Sequence, residues 1–121
     1  MVAAPLWIMI AGPYSTGARN AAERATNLRV LNDAALALFR KGHIPVVGVN
    51  AALPVIAAAG GSAAAYDEIM MPMSLALAER CDACLRIGGK SQGADDEVAR
   101  FAAAGKTVYR RVEDVPERVR G

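Results

Sequence analysis

Apolar and polar stretches alternate along this chain in the order strand, helix, strand, helix, strand, helix, strand, helix. Leu6 to Ala11 is a continuous apolar run, as expected of a strand buried on both faces. From about Arg19 to Lys41 the spacing becomes helical. Leu28, Leu31, Ala35 and Leu38 form the apolar stripe, and Arg24, Arg29 and Asp33 lie away from its centre. Gly42 ends that helix, and Ile44 to Val49 reads as a second buried strand. Ala83 to Ile87 is the third strand. A helix follows over Ala94 to Ala104, stopped by Gly105, and then a strand over Thr107 to Tyr109. Glu113 to Arg118 is expected to close the chain as a short helix.

The stretch from Asn50 to Met71 carries the weakest pattern. Ala51 to Ala59 has the composition of a short helix, and Gly60-Gly61-Ser62 is a turn, so a loop-rich insertion over the end of the sheet is expected. Pro72 suits the first position of a helix running to about Arg80, with Met73 and Leu77 inward.

Repeated βα units with short connections imply a three-layer, doubly wound α/β fold of the flavodoxin or Rossmann type. Its sheet would hold four to five parallel strands joined by right-handed crossovers. A chain of 121 residues makes a single such domain with a core of its own. Apolar residues at 54% and charged residues at 21% describe a globular protein. A formal charge of +2 is too small to point to a nucleic acid polymer or an anionic membrane. The first apolar run lacks a basic flank and stops at Gly12-Pro13, so no secretory leader is expected. Pro54 and Gly60-Gly61 break the Ala-rich stretch from Ala51 to Ala65, so no membrane span is expected and the cytoplasm is the default compartment.

Cys81 and Cys84 form a lone CxxC pair that closes a helix and enters a strand. A redox pair has the opposite polarity, opening a helix whose dipole lowers the thiol pKa. No second Cys or His pair completes a zinc site, so two reduced, mostly buried thiols are expected. His43, just past a helix end at Lys41-Gly42, is read as structural. No metal or redox cofactor is suggested.

Ligands in such folds bind outside the carboxyl ends of the strands, where the strand order reverses. Two loops leave that edge with unusual chemistry. One is Ala11-Gly12-Pro13-Tyr14-Ser15-Thr16-Gly17 and the other runs from Gly88 to Gly93. The second continues through Ser91-Gln92-Gly93-Ala94-Asp95-Asp96-Glu97, which delivers three carboxylates into a first helical turn. Glycine admits close approach of a ligand, and the helix start supplies free N–H groups and positive potential. First-turn acids also complement the helix dipole without any ligand, at about 0.3–1 kcal/mol each. Taking Ala94, Val98, Phe101, Ala102 and Gly105 as the buried stripe, about 100° per residue puts Asp96 on the solvent side with Arg100. Asp95 and Glu97 then flank the stripe.

In this order and spacing, three motifs resemble the nucleoside 2-deoxyribosyltransferase-like superfamily. They are Ala11-Gly12-Pro13-Tyr14 after an apolar strand, Cys81-Asp82 entering a strand, and Ser91-x-Gly93-x-x-x-Glu97 followed by Gly105-Lys106-Thr107-Val108. That group includes the 2′-deoxynucleoside 5′-phosphate N-hydrolases. The resemblance places the family's glutamate nucleophile on Glu97, its phosphate-binding serine on Ser91, and an aromatic residue near the base on Tyr14. Gly12, Pro13, Gly93 and Asp95 complete the expected binding set. Tyr14 as a cover for the crevice edge and Ser91 as an ordinary N-cap are the alternative roles.

Two positions depart from the family pattern. An aspartate commonly stands eight residues before the position of Asp82, where this chain has Ser74, and a serine is no general acid at neutral pH. A tyrosine that orients the glutamate is replaced by Met9. Asp67 and Glu68 are the candidates to supply the missing acid. The implied activity is cleavage or transfer at the N-glycosidic bond of a nucleoside or its 5′-monophosphate. The alternative is a non-catalytic nucleotide binder. A phosphoribohydrolase of the cytokinin-activating type is a weaker match, because Gly88-Gly89-Lys90-Ser91 fits its glycine run poorly. A homodimer or larger homo-oligomer is expected by analogy. Tyr66, Met70, Met71 and Met73 are read as core or as part of such an interface. The basic tail through Arg110, Arg111, Arg118 and Arg120 is read as a solvated surface, or else as a phosphate contact across the interface.

Overall fold

A computed structural model describes residues 2–119. The first apolar run forms β1 (Trp7–Ala11), and the amphipathic segment after it forms α1 (Ala21–Arg40). Next come β2 (Ile44–Val46), α2 (Gly48–Ala58), α3 (Ala63–Arg80), β3 (Ala83–Arg86), α4 (Gln92–Ala103) and β4 (Thr107–Tyr109). All strand pairs are parallel, in the order β2-β1-β3-β4. This is a three-layer α/β fold of the Rossmann type, and its strand order reverses between β1 and β3. No helix among the described residues is long and apolar enough to cross a membrane.

Side chains of a strand point alternately to opposite faces, and the two central strands divide the core accordingly. Ile8 and Ile10 of β1 join Ala83 and Leu85 of β3 under Leu31, Ala34 and Leu38 of α1. Met9 and Ala11 join Cys84 on the other face, under Ala78 of α3 and Ala94 and Phe101 of α4. The α1 stripe is the one expected, with Leu28 and Ala35 packed at its margin. A third cluster ties α2 to α3 through Ala52, Ile56, Ala65 and Met70, with Tyr66 and Met73 against it. Met70 is thus core, Tyr66 and Met73 are half-buried at its margin, and Met71 is half-buried outside the cluster.

Polar contacts secure the amino edge of the sheet. Asp82 Oδ2 accepts the Trp7 amide at 2.8 Å, and the Asp82 amide donates to the Trp7 carbonyl at 2.8 Å. Buried His43 accepts the Leu6 amide at Nδ1 (3.0 Å), so Nε2 carries the hydrogen that meets the Pro116 carbonyl. His43 thus joins β1 to the C-terminal tail, the structural role expected of it. Cys81 and Cys84 are free, buried thiols, pushed up to about 11 and about 12 chiefly by burial.

Three boundaries differ from the sequence reading. The helix expected from Pro72 begins at Ala63, where Ser62 caps it by accepting the Ala65 amide at 3.1 Å. Pro72 lies inside α3 on its exposed side, as Pro54 does in α2. The carbonyls that lose a partner can there turn to water. The insertion over the sheet is accordingly a helical hairpin. Strand β2 stops at Val46 because α2 starts at Gly48. The tail forms only a 3-10 turn over Val112–Asp114 and then runs extended, its Arg118 amide donating to the Lys41 carbonyl at 2.9 Å. Pro116, which has no amide hydrogen, follows that turn. Arg111 pairs with Asp114, and Arg120 lies outside the described residues.

Candidate functional site

Parallel strands deliver their following loops to one edge, and here the loops after β1 and β3 are neighbours because those strands pair. Gly12 is needed where they meet. A β-carbon on it would lie 2.7 Å from Leu31 Cδ2 and 2.9 Å from the Ile87 carbonyl oxygen. The next contact is Pro13 against Gly88, which has a φ of +76° and no room for a side chain. Asn27 of α1 donates to the Tyr14 carbonyl at 2.7 Å and so holds the first loop from the helix side.

These loops, the start of α4 and the α2–α3 hairpin enclose a cleft of about 210 Å³. Five of the expected residues line it: Gly12, Tyr14, Ser91, Gly93 and Glu97. Ser74 lines it too, at the position where the resemblance implies an aspartate. Pro13 and Asp95 do not. Pro13 faces a separate outer hollow, and Asp95 is exposed and turned to Arg86, its Oδ1 lying 3.3 Å from Nε. Asp67 lines a larger cavity of about 520 Å³ beyond Tyr14 and Tyr66, and Glu68 is exposed, so neither acid reaches the cleft of Glu97. Ser15 Oγ and Tyr66 Oη hydrogen-bond at 3.1 Å on the wall between the two cavities.

Helix α4 sets the chemistry of the floor. Ser91 is its N-cap, buried, with Oγ accepting the Ala94 amide at 3.2 Å. The cap role is therefore realised, and the hydroxyl hydrogen remains to be donated elsewhere. Among the described residues the Gln92 and Gly93 amides have no acceptor, as the first turn of a helix requires. Asp96 is exposed and accepts from Gln92 at 2.8 Å, in keeping with a solvated charge.

Glu97 does not flank the buried face. It sits at its centre, with only 8% of the residue exposed, between Ala94 and Phe101. Ala102, expected in the stripe, is exposed and Val98 is half-buried. Among the described residues nothing hydrogen-bonds the Glu97 carboxyl, and its oxygens open on the cleft. Burial pushes its pKa up to about 7. The Arg86 charge works against that rise and Asp96 adds to it. Met9, standing where the resemblance implies a tyrosine, is fully buried beside Ala94 and Phe101 and leaves the carboxyl without an orienting donor.

Arg86 is the buried charge beside this site that the sequence pattern does not single out. It ends β3 in register with Ala11, and its guanidinium is buried. Nη1 donates to the Ile87 carbonyl, Nη2 to the Gly89 carbonyl at 2.7 Å, and Nε to Asp95. A lone charge closing an otherwise apolar strand, Ala83-Cys84-Leu85-Arg86, was the available signal.

The chain matches no known family model and no curated protein. Among the described residues no three His, Cys, Asp or Glu side chains converge as a metal site requires. What fold and cleft define together is a Rossmann-type α/β protein with a buried carboxyl at its topological switch point.

Proposed function

We propose that the cleft binds a nucleoside or nucleoside 5′-monophosphate and that Glu97 cleaves its N-glycosidic bond. The observation that carries this reading is a buried carboxyl with no hydrogen-bond partner among the described residues, opening on a cleft beside a helix start. In its ionised form the carboxylate attacks the anomeric carbon. The bond to the base breaks with its electron pair on the base nitrogen, and one water supplies the proton that neutralises it. The hydroxide left from that water hydrolyses the glycosyl ester, releasing the sugar and restoring the carboxylate. The Ser91 hydroxyl and the free amides of Gln92 and Gly93 suit a 5′-phosphate, and the Tyr14 ring suits a base. The preference for hydrolysis over transfer follows from that phosphate reading.

A non-catalytic nucleotide binder is the second reading, favoured by Ser74 and Met9. Neither supplies an acid or an orienting donor beside Glu97. Chromatography of a panel of nucleosides and 5′-monophosphates incubated with the protein tests both. Free base that disappears with Glu97→Gln supports the glycosidase. Base release that survives this substitution removes Glu97 as nucleophile. Tight binding by calorimetry without any release makes the protein a binder.

A further inference from the structure

We propose that Arg86 is the positioning residue of this site: one buried guanidinium fixes the loop that carries Ser91 and sets a positive charge beside the Glu97 carboxyl. The chemical part of this inference rests on the glycosidase reading, whereas the coupling of Arg86 to loop and carboxyl does not.

The geometry is a three-way clamp. Two arms of the fork hold the carbonyls of Ile87 and Gly89, and the third nitrogen reaches Asp95 in the first turn of α4. Strand end, loop and helix start are thereby tied to a single planar group. Lysine, with one nitrogen, cannot reproduce this. Gly88 lies between the clamped carbonyls at a φ of +76° and packs on Pro13, so the clamp also sets how closely the two loops approach. Ser91 follows two residues after Gly89.

The electrostatics run in the same direction. Glu97 is surrounded by apolar groups: Met9 from β1, Ala94 and Phe101 from α4, and Met70 and Met71 from α3 along the cleft. The titratable groups and hydroxyls around it are Arg86 and the buried thiol of Cys84 from β3, Asp96 from α4, Ser74 and Tyr66 from α3, and Tyr14, Ser15, Thr16 and Ser91 from the two loops along the same cleft. Arg86 is the one cation in that set, and it offsets part of the desolvation that otherwise holds Glu97 protonated. With Met9 offering no hydrogen bond, the charge on Arg86 is what favours the ionised form of Glu97, and it does so without a direct contact to the carboxyl.

The test is a carbon-13 NMR titration of the glutamate carboxyls, the Glu97 signal being assigned by its loss in Glu97→Gln. In Arg86→Met the Glu97 midpoint is expected to rise by about one unit, as removal of an adjacent opposite charge requires. In Arg86→Lys the midpoint stays within half a unit of the native one, but exchange of the hydrogen-bonded amides on either side of the clamp, Ile87 (to the Ala11 carbonyl) and Ala94 (to Ser91 Oγ), accelerates by about tenfold as the fork is lost. Should Arg86→Met not fold, Arg86→Gln reads the same midpoint. An unchanged midpoint in a folded variant without the charge, or native exchange in Arg86→Lys, overturns the proposal. A chain that releases no base gives both readouts equally, so failure here is separate from failure of the glycosidase reading. Where base is released, the acid limb of kcat against pH moves upward together with the midpoint.

Discussion

Ser91 Oγ accepts the Ala94 amide at 3.2 Å from a buried position on the wall of the cleft, so one hydroxyl both starts α4 and faces the site. The two roles are separable. Ser91→Ala removes the cap and is expected to cost about 1 kcal/mol in urea denaturation. Ser91→Asp can still accept the Ala94 amide but places a negative charge where a phosphate would lie. Calorimetry should then show affinity for a 5′-monophosphate falling well below that for the parent nucleoside. Equal losses for both ligands would remove the phosphate role from Ser91.

Glu97 makes stability depend on pH with a definite sign. Its pKa is about 7 in the folded chain against an ordinary 4.5, so the folded state holds its proton more tightly than the unfolded one. The penalty for burying the charge is absent below about 4.5, grows as pH rises through the interval to about 7, and is complete above it. Since one unit corresponds to about 1.4 kcal/mol, the full penalty is roughly 3 kcal/mol. Glu97→Gln should therefore raise the melting temperature at pH 8 and leave it nearly unchanged at pH 4. Loss of stability at pH 8 would contradict this picture.

Catalysis by the carboxylate form implies the opposite trend in rate. Base release should increase with pH through about 7, where Glu97 ionises. A rate that declines across that range assigns the step to the protonated acid instead.

Gly12 tolerates no side chain. The contacts awaiting a β-carbon, 2.7 Å to Leu31 and 2.9 Å to the Ile87 carbonyl, include rigid backbone. Gly12→Ala should cost about 1–3 kcal/mol in denaturation and weaken ligand binding, because relief requires the two loops to part. Gly60→Ala, with open space but a φ of +98°, should lower stability and leave binding intact.

Much of this fold is readable from the chain because buried parallel strands are written as uninterrupted apolar runs with glycines at the helix ends. Leu6 to Ala11 and Ala83 to Leu85 are such runs, and the reversal between them places the two loops together. The hairpin after β2 was obscured by Pro72. A proline at a helix start and one on the exposed side of a longer helix look alike in sequence, and the deciding signal was the Ser62 cap ten residues earlier. Glu97 was placed at the margin of its helix because apolar periodicity counts a carboxyl as surface. In α4 the buried face is shared between sheet and cleft, and the cleft takes the polar position. Arg86 was passed over for the same reason: a charge at the end of an apolar strand marks its exit unless its partners are known.

The division of the core into separate clusters also has a bearing on how this chain can change over time. None of the buried residues that pack α1 onto the sheet, among them Ile8, Ile10, Leu38 and Leu85, lines the cleft, whereas Ala94 and Met70 belong to both core and cleft. Substitutions on the α1 side are therefore expected to change stability while leaving the cleft lining in place, except at Leu31, which packs on Gly12. On the α3–α4 side a substitution at Ala94 or Met70 changes core and cleft together.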